Sequence, residues 1–429
     1  MIVLYDDARA RVVEPVATSR PLGEVRAGAL LGRERWARWF GARVDGAVVA
    51  EHLSDFGEFD APPVQQDDLA AGTWVVNTRA LPVLPQAGAL GHADVVRIAS
   101  RVAAVRLHTA CALSALADGA LVLETLVPSS PRVLDVDGIW LEDPWDIIRH
   151  LTSQLTSDLA ALGTDDGVFA VVGVGGTTGP VIVGDGGVFV EPGVTLEPFT
   201  LFDTTAGPIL VRRGSTVQAF TRIVGPCYIG RDCNVVGDRI AASSIGDTCR
   251  VHGELSMSVF IGHANKGHDG FVGHSILGRW VNLGAGTITS NLKNTYGTVA
   301  MWTTDGIRDT GLQFAGTFFG DHAKTGIGLR LTTGCVIGAG ANVAPGNSPG
   351  TLTLDGDVSF AGELNVELAS ASSYDVLNVL GMLTFESSAR INFLLDFSLT
   401  DASYHFDFLD AHGVNGYTGS MFGNPGIFG

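Results

Sequence analysis

Between Val190 and Val343 an apolar residue returns every sixth position, a beat that belongs neither to a helix nor to a single strand. Val211, Val217, Ile223, Ile229 and Val235 keep it without a break. Val190, Leu196 and Phe202 precede them; Ile245, Val251 and Met257, then Leu277 and Leu283, then Leu331, Ile337 and Val343 follow after slips. Six is the period of a parallel β-helix built from hexapeptide repeats, in which each inward residue stacks on its counterpart one coil away. The chain carries 56 glycines in 429 residues. Most of the excess falls after Gly163, as repeated tight corners require.

The repeat does not run the whole length. Residues 1 to 140 mix short apolar runs with helical patterns, the mark of an α/β domain. Ile2–Tyr5 and Thr73–Asn77 read as strands, whereas Arg33–Phe40, His92–Val105 and Ala110–Asp118 read as helices. From Leu141 to Gly163 an apolar face at Ile147, Ile148, Leu151, Leu155 and Leu159 predicts one connector helix, with Pro144 in its first turn and Gly163 at its end. The β-helix then occupies residues 164 to 344. From 345 to 429 the beat is lost, and alternating patterns such as Thr351–Leu354 and Glu363–Leu368 predict a short all-β tail.

A formal net charge of −18 argues against a nucleic-acid partner, because phosphate backbones are held by clustered Lys and Arg. A small phosphorylated substrate needs only a local basic pocket. The five cysteines (Cys111, Cys227, Cys233, Cys249, Cys335) form no CxxC pair, and those in the repeats read as small buried filler. The N-terminus lacks a basic segment followed by a long apolar run, and no stretch reaches about 18 apolar residues. No membrane span is read, and the cytoplasm is the expected compartment.

One stretch interrupts the beat to present polar groups: NKGHDGFVGHSILGRWVNLGAGTITSNLKN, Asn265 to Asn294. Its His268 is flanked by small residues in GHDG and is the candidate general base. Asn282 and Asn291 bracket GAGTITSN, where each can orient a substrate or the base. Lys266 and Lys293 can attract phosphates. In the first domain, Asp6 and Asp7 after the first strand are candidates for Mg²⁺, and Arg20, Arg26 and Arg33 for a triphosphate.

That stretch resembles the acetyltransferase half of the bifunctional GlmU family. It resembles still more closely a GlmU-like branch of sugar nucleotidyltransferases of the Bacteroidetes type. GTFFGDHAKTGIGLRLTTGCVIGAG and the opening LYDDARARVVEPVATSRPLGEVRAGALLGRERW carry the same likeness, which covers residues 1 to 344. It implies a left-handed parallel β-helix, a homotrimer and acetyl-CoA bound between neighbouring subunits. It also implies sugar-1-phosphate nucleotidyltransfer by the first domain. His268 falls on the family's catalytic base, and Asn282 and Asn291 on its substrate-binding asparagines. Lys324 in DHAKTG falls where cofactor or substrate is contacted. The pattern departs in three places: the tyrosine three residues after the histidine is Phe271, and the phosphate-binding lysine and arginine fall on Ser256 and Asp238. The glycine-rich nucleotide loop is also lacking. Two alternatives stand beside this reading. One is a non-catalytic trimeric scaffold. The other is a zinc-dependent β-helix of the γ-class carbonic anhydrase kind, using His263, His268 and His274. The tail resembles segments of autotransporter-type β-solenoid passengers.

Overall fold

The computed structural model describes residues 1–84, 92–171 and 179–343, and beyond them the backbone of strands between Thr351 and Asn415. These residues pack as two compact units. One comprises residues 1–323 with 330–340, the other residues 324–329 with 341–429.

In the first unit a six-stranded sheet runs in the order Gly46–Val48, Ile2–Tyr5, Trp74–Asn77, Arg101–Arg106, Val95–Ile98, Val133–Val136. Ile2–Tyr5 pairs in parallel with both neighbours and is buried along its whole length, which is why it is apolar without alternation. The helix Gly32–Phe40 covers the sheet with Trp36 and Trp39, and its C-terminus is closed by Gly41 at φ 64°. The expected helix over His92–Val105 is instead an antiparallel hairpin, Val95–Ile98 with Arg101–Arg106. Its two-residue turn places Ala99 and Ser100 at φ 49° and 65°, the positive-φ geometry that matches strand twist. Its strands are buried on both faces, so no alternation marked them. Ala110–Asp118 holds only a single 3₁₀ turn, Leu113–Ala115.

The connector is two helices, Asp146–Arg149 and Leu151–Leu162, broken at His150. Leu151, Leu155, Leu159 and Leu162 lie against the outer row of one coil face, which presents Leu210, Tyr228, Val259, Ile276 and Phe318. The helix therefore shares one apolar core with the coil.

The coil is a parallel β-helix of the left-handed class, with three faces whose strands pair from one coil to the next. Strands of two to four residues stack in register, for example Ile209, Cys227 and Val211, Ile229. All three corners hold non-glycine residues in the left-handed region. One carries Thr248, His263, Trp280 and His322 at φ 52° to 63°; a second carries Ala242, Met257 and His274 at φ 45° to 49°; the third carries Phe199, Phe220 and Asp238 at φ 62° to 64°. Met257 is thus a corner residue, not an inward one. The inward column of the third face runs Leu196, Val217, Val235, Val251 and then Lys266. The cysteines are free, with Cys227, Cys233 and Cys249 buried in the coil.

A hairpin, Ala300–Thr303 with Gly306–Asp309, leaves the coil and reaches the first domain. Arg308 pairs with Asp143, and Asp305 with Arg9 at 3.0 Å. In the second unit the residues described beyond Thr351 are strands. Val376–Phe385 lies parallel to Thr351–Leu354 and Leu409–Asn415, and Glu363–Ser370 lies parallel to Arg390–Leu395.

Candidate active sites

The α/β domain opens a cleft of about 320 Å³ beyond the carboxyl ends of Ile2–Tyr5 and Trp74–Asn77, the position where open α/β sheets bind ligands. Asp7, Arg9, Asn77, Arg79, Arg101 and Trp140 line it. Arg79 clamps Asp7 with Nε at 2.8 Å and Nη2 at 2.6 Å, and donates Nη1 to Glu142 at 2.7 Å. Arg79 and Arg101 both stand over the Trp140 ring, at 5.4 and 3.9 Å from its centroid. Arg101 is held to Glu142 and Arg9 to Asp143. Three guanidinium groups and an indole thus meet where two parallel strands end. The sequence reading did not single out Arg9, Arg79, Arg101 or Trp140. The signal was available: Arg79 stands two residues after a strand end, as Asp7 does.

Asp6 and Asp7 part company. Asp6 is buried; burial pushes its carboxyl up to about 6 against hydrogen bonds from Thr78 and the Leu22 amide. Burial also raises Asp7, but Arg79, Asn77 and the Ala10 amide outweigh it and leave that carboxyl below its ordinary value. Mg²⁺ requires carboxylate oxygens open to a water-rich octahedral shell. Here each oxygen of both carboxylates already accepts from a protein donor. As arranged, Asp6 and Asp7 do not fit the ion. Among the described residues no group of three or more His, Cys, Asp or Glu gathers for any metal.

Arg20 and Arg26 do not face the cleft. Arg20 pairs with Glu58 and Asp321, both at 2.7 Å, and is 3% exposed. Arg26 is buried, donates to the Ala29 carbonyl and lies over Tyr228 of the coil. Both face inward because the segment after the first strand is the surface on which the domain meets the coil. Arg33 pairs with Glu24.

On the coil, residues 267–270 form a bend between Asn265–Lys266 and Phe271–Gly273, and His268 stands exposed on it. Lys266 is fully buried, and its Nζ donates to the carbonyls of His252 (3.2 Å), His268 and Asp269 (2.7 Å). Its ammonium therefore points into the coil, away from any phosphate outside, and burial pushes it down to about 8. Asn282 lies one coil away from this bend, its Oδ1 accepting from Asn265 at 2.7 Å. Asn291 is drawn elsewhere. Its amide donates to Nδ1 of His274 at 2.9 Å, and His274 stacks on Phe314. Burial pushes His274 down to about 4. Gly273 keeps the gap between the Phe271 ring and the Asn291 amide, which a Cβ there would meet at 2.4 and 2.6 Å. Lys293 donates to the Thr298 carbonyl at 3.1 Å. Lys324 is exposed on a strand of the second unit, paired with Asn342–Val343. The three histidines do not converge as zinc requires. His263 is stacked between Phe59 and Trp280 at one corner, and His274 is bonded to Asn291 at another.

Residues 2–166 match the model of a family described as sugar nucleotidyl transferase. The bifunctional protein GlmU of Desulfitobacterium hafniense is 25% identical over 205 residues, covering 41% of this chain and 42% of that protein. The GlmU of Acaryochloris marina is 30% identical over 182 residues, covering 40% and 36%. A bifunctional sugar-1-phosphate nucleotidylyltransferase/acetyltransferase of Sulfurisphaera tokodaii is 33% identical over 93 residues, covering 22% and 23%. The chain spans about two fifths of the length of the GlmU proteins it matches. Its first domain is thus similar to sugar nucleotidyl transferases, and the chain is similar to bifunctional GlmU proteins over less than half their length.

Proposed function

We propose that this chain is a GlmU-like transferase with two reactions. In this reading residues 1–140 are the nucleotidyltransferase-like domain, 141–163 the connector, and 164–344 an acetyltransferase-like coil working as a homotrimer. The observation that carries it is the arginine-lined cleft at the strand ends, inside the segment that matches sugar nucleotidyl transferases. Arg9, Arg79 and Arg101 supply charge-assisted donors for the phosphates of a nucleoside triphosphate and a sugar 1-phosphate, and Trp140 a face for a base or sugar ring. An oxygen of the sugar phosphate attacks the α-phosphorus, and pyrophosphate leaves toward the arginines.

On the coil, His268 takes the proton of an amino-sugar nitrogen as that nitrogen attacks the thioester carbon of acetyl-CoA. The C–S bond breaks, and the thiolate leaves with the proton that the imidazolium returns. Exposure of His268 on a bend held from inside supports this role, and Asn282 one coil away is placed to orient the acceptor. No helix among the described residues is long and apolar enough to cross a membrane.

The test is to incubate the protein with acetyl-CoA and a panel of amino-sugar phosphates, comparing wild type with His268→Ala. Thiol release should be lost in the variant; undiminished release removes His268 from the mechanism, and none from wild type assigns the coil to a scaffold. For the first domain, pyrophosphate release from nucleoside triphosphates with sugar 1-phosphates is the readout.

A further inference from the structure

We infer that Lys266 is a positioning residue for His268: from inside the coil, its ammonium fixes the bend on which the histidine stands. The role is a catalytic one only on the reading of His268 as base.

The column in which Lys266 stands is otherwise apolar on the side of the earlier coils. Leu196, Val217, Val235 and Val251 stack beneath it in register, and the last three are fully buried. A lysine in that position is costly unless its charge is met. It is met by carbonyls of the chain: an ammonium has three N–H donors, and three backbone oxygens accept them. Two of the three, from His268 and Asp269, belong to the bend itself.

The bend differs from the corner of the coil directly beneath it. Asp238, Gly253 and Gly270 stand in register at the same corner of successive coils, each at positive φ, and the Glu254 amide bonds to the Gly270 carbonyl at 3.0 Å. Between Val251 and Gly253 stands only His252. Between Lys266 and Gly270 stand Gly267, His268 and Asp269. The corner is longer by two residues than that of the coil directly beneath, and His268 stands in the middle of it. Bonding the His268 and Asp269 carbonyls to an inward cation turns both peptide units toward the lumen and so constrains where the His268 side chain leaves the surface. The charged groups acting on Lys266 are Asp269 and, from two coils beneath, Asp238, which also pairs with His252 at 3.3 Å.

Lys266→Met keeps the length of the side chain and removes the ammonium, leaving an apolar residue on top of Val251. The expected result is a fall in kcat for acetyl transfer of tenfold or more, with KM for acetyl-CoA and acceptor within twofold of wild type. The melting temperature should not fall, and amide hydrogen exchange at residues 268–270 should quicken by tenfold or more. The alkaline limb of the wild-type pH–rate profile should also disappear, a change that a purely space-filling role would not produce. Unchanged kcat together with unchanged exchange overturns the inference. If Lys266→Met melts lower than wild type, Lys266→Gln, which retains two donors, is read in its place by the same criteria. If wild type transfers no acetyl group, or His268→Ala retains full activity, the reading of His268 has failed. Exchange at 268–270 then decides alone whether Lys266 fixes the bend.

Discussion

Arg20 and Asp321 form an ion pair at 2.7 Å with both side chains 3% exposed, joining the α/β domain to the coil. Ser19 and the Arg279 amide complete the hydrogen bonding of the same carboxylate, at 2.7 and 2.8 Å. Removing one partner of such a pair leaves a buried charge without compensation, a loss of about 3–5 kcal/mol. Arg20→Ala should therefore lower the urea midpoint substantially while leaving the KM for nucleoside triphosphate unchanged in the folded protein. A raised KM at wild-type stability would return Arg20 to the nucleotide.

The fate of Arg20 shows what the sequence could carry and what it could not. The β-helix was legible because its inward residues are apolar at a fixed step. The step slips where coils shorten: Val235, Val251 and Lys266 are stacked yet lie 16 and 15 residues apart. That is why Lys266 read as a surface cation and Met257 as core. His268, set between Gly267 and Asp269 in GHDG, was legible as an exposed group. The cleft was not, because Arg9, Arg79 and Arg101 are distant in sequence. They meet only through the order in which Ile2–Tyr5, Trp74–Asn77 and Arg101–Arg106 lie side by side. The positive-φ turn at Ala99 and Ser100 was hidden for a related reason, since neither residue type announces that conformation.

Arg101 gives the cleanest test of the cleft, since it is more exposed than Arg79 and does not clamp Asp7. A charge-assisted hydrogen bond to phosphate contributes about 1.5–3 kcal/mol. Arg101→Ala should therefore weaken nucleotide binding by roughly tenfold to a hundredfold, measured by calorimetric titration, with little change in melting temperature. Wild-type affinity in the variant would remove Arg101 from the site.

His274 should make stability sensitive to mild acid. Burial holds its ring neutral down to about 4, against 6.5 in an unfolded chain, and its Nδ1 accepts from the Asn291 amide. Between pH 6.5 and 4 the unfolded chain takes up a proton that the folded one refuses, so the stability contributed above 6.5 is lost as pH falls. Asp6, raised to about 6, acts in the opposite sense over part of the same window and masks the effect in wild type alone. His274→Asn does not titrate and tolerates φ 49°. Plotted against pH, the difference in unfolding free energy between wild type and variant should be flat above 6.5 and drift against wild type toward pH 4. A difference that stays flat down to pH 4 contradicts the assignment.

Gly28 tests the tightest point of the contact between domain, connector and coil. It lies at φ 66°, and a Cβ there would meet Oδ2 of Asp158 at 2.3 Å. Asp158 cannot swing aside, because Arg35 holds both its oxygens at 2.7 and 2.6 Å and the Ala29 amide bonds to Oδ2 at 2.9 Å. The Gly28 carbonyl also accepts from Ser244 of the coil at 2.7 Å, so the backbone is fixed from the other side. Gly28→Ala must then pay the left-handed strain of about 1–2 kcal/mol and disturb a buried ion pair as well. Gly41 is the control: φ is 64° with nothing within 4 Å of the added Cβ, so Gly41→Ala meets the strain alone. Chemical unfolding should place Gly28→Ala at least about 2 kcal/mol below Gly41→Ala. Equal losses would mean that the Arg35–Asp158 clamp yields more readily than its geometry implies.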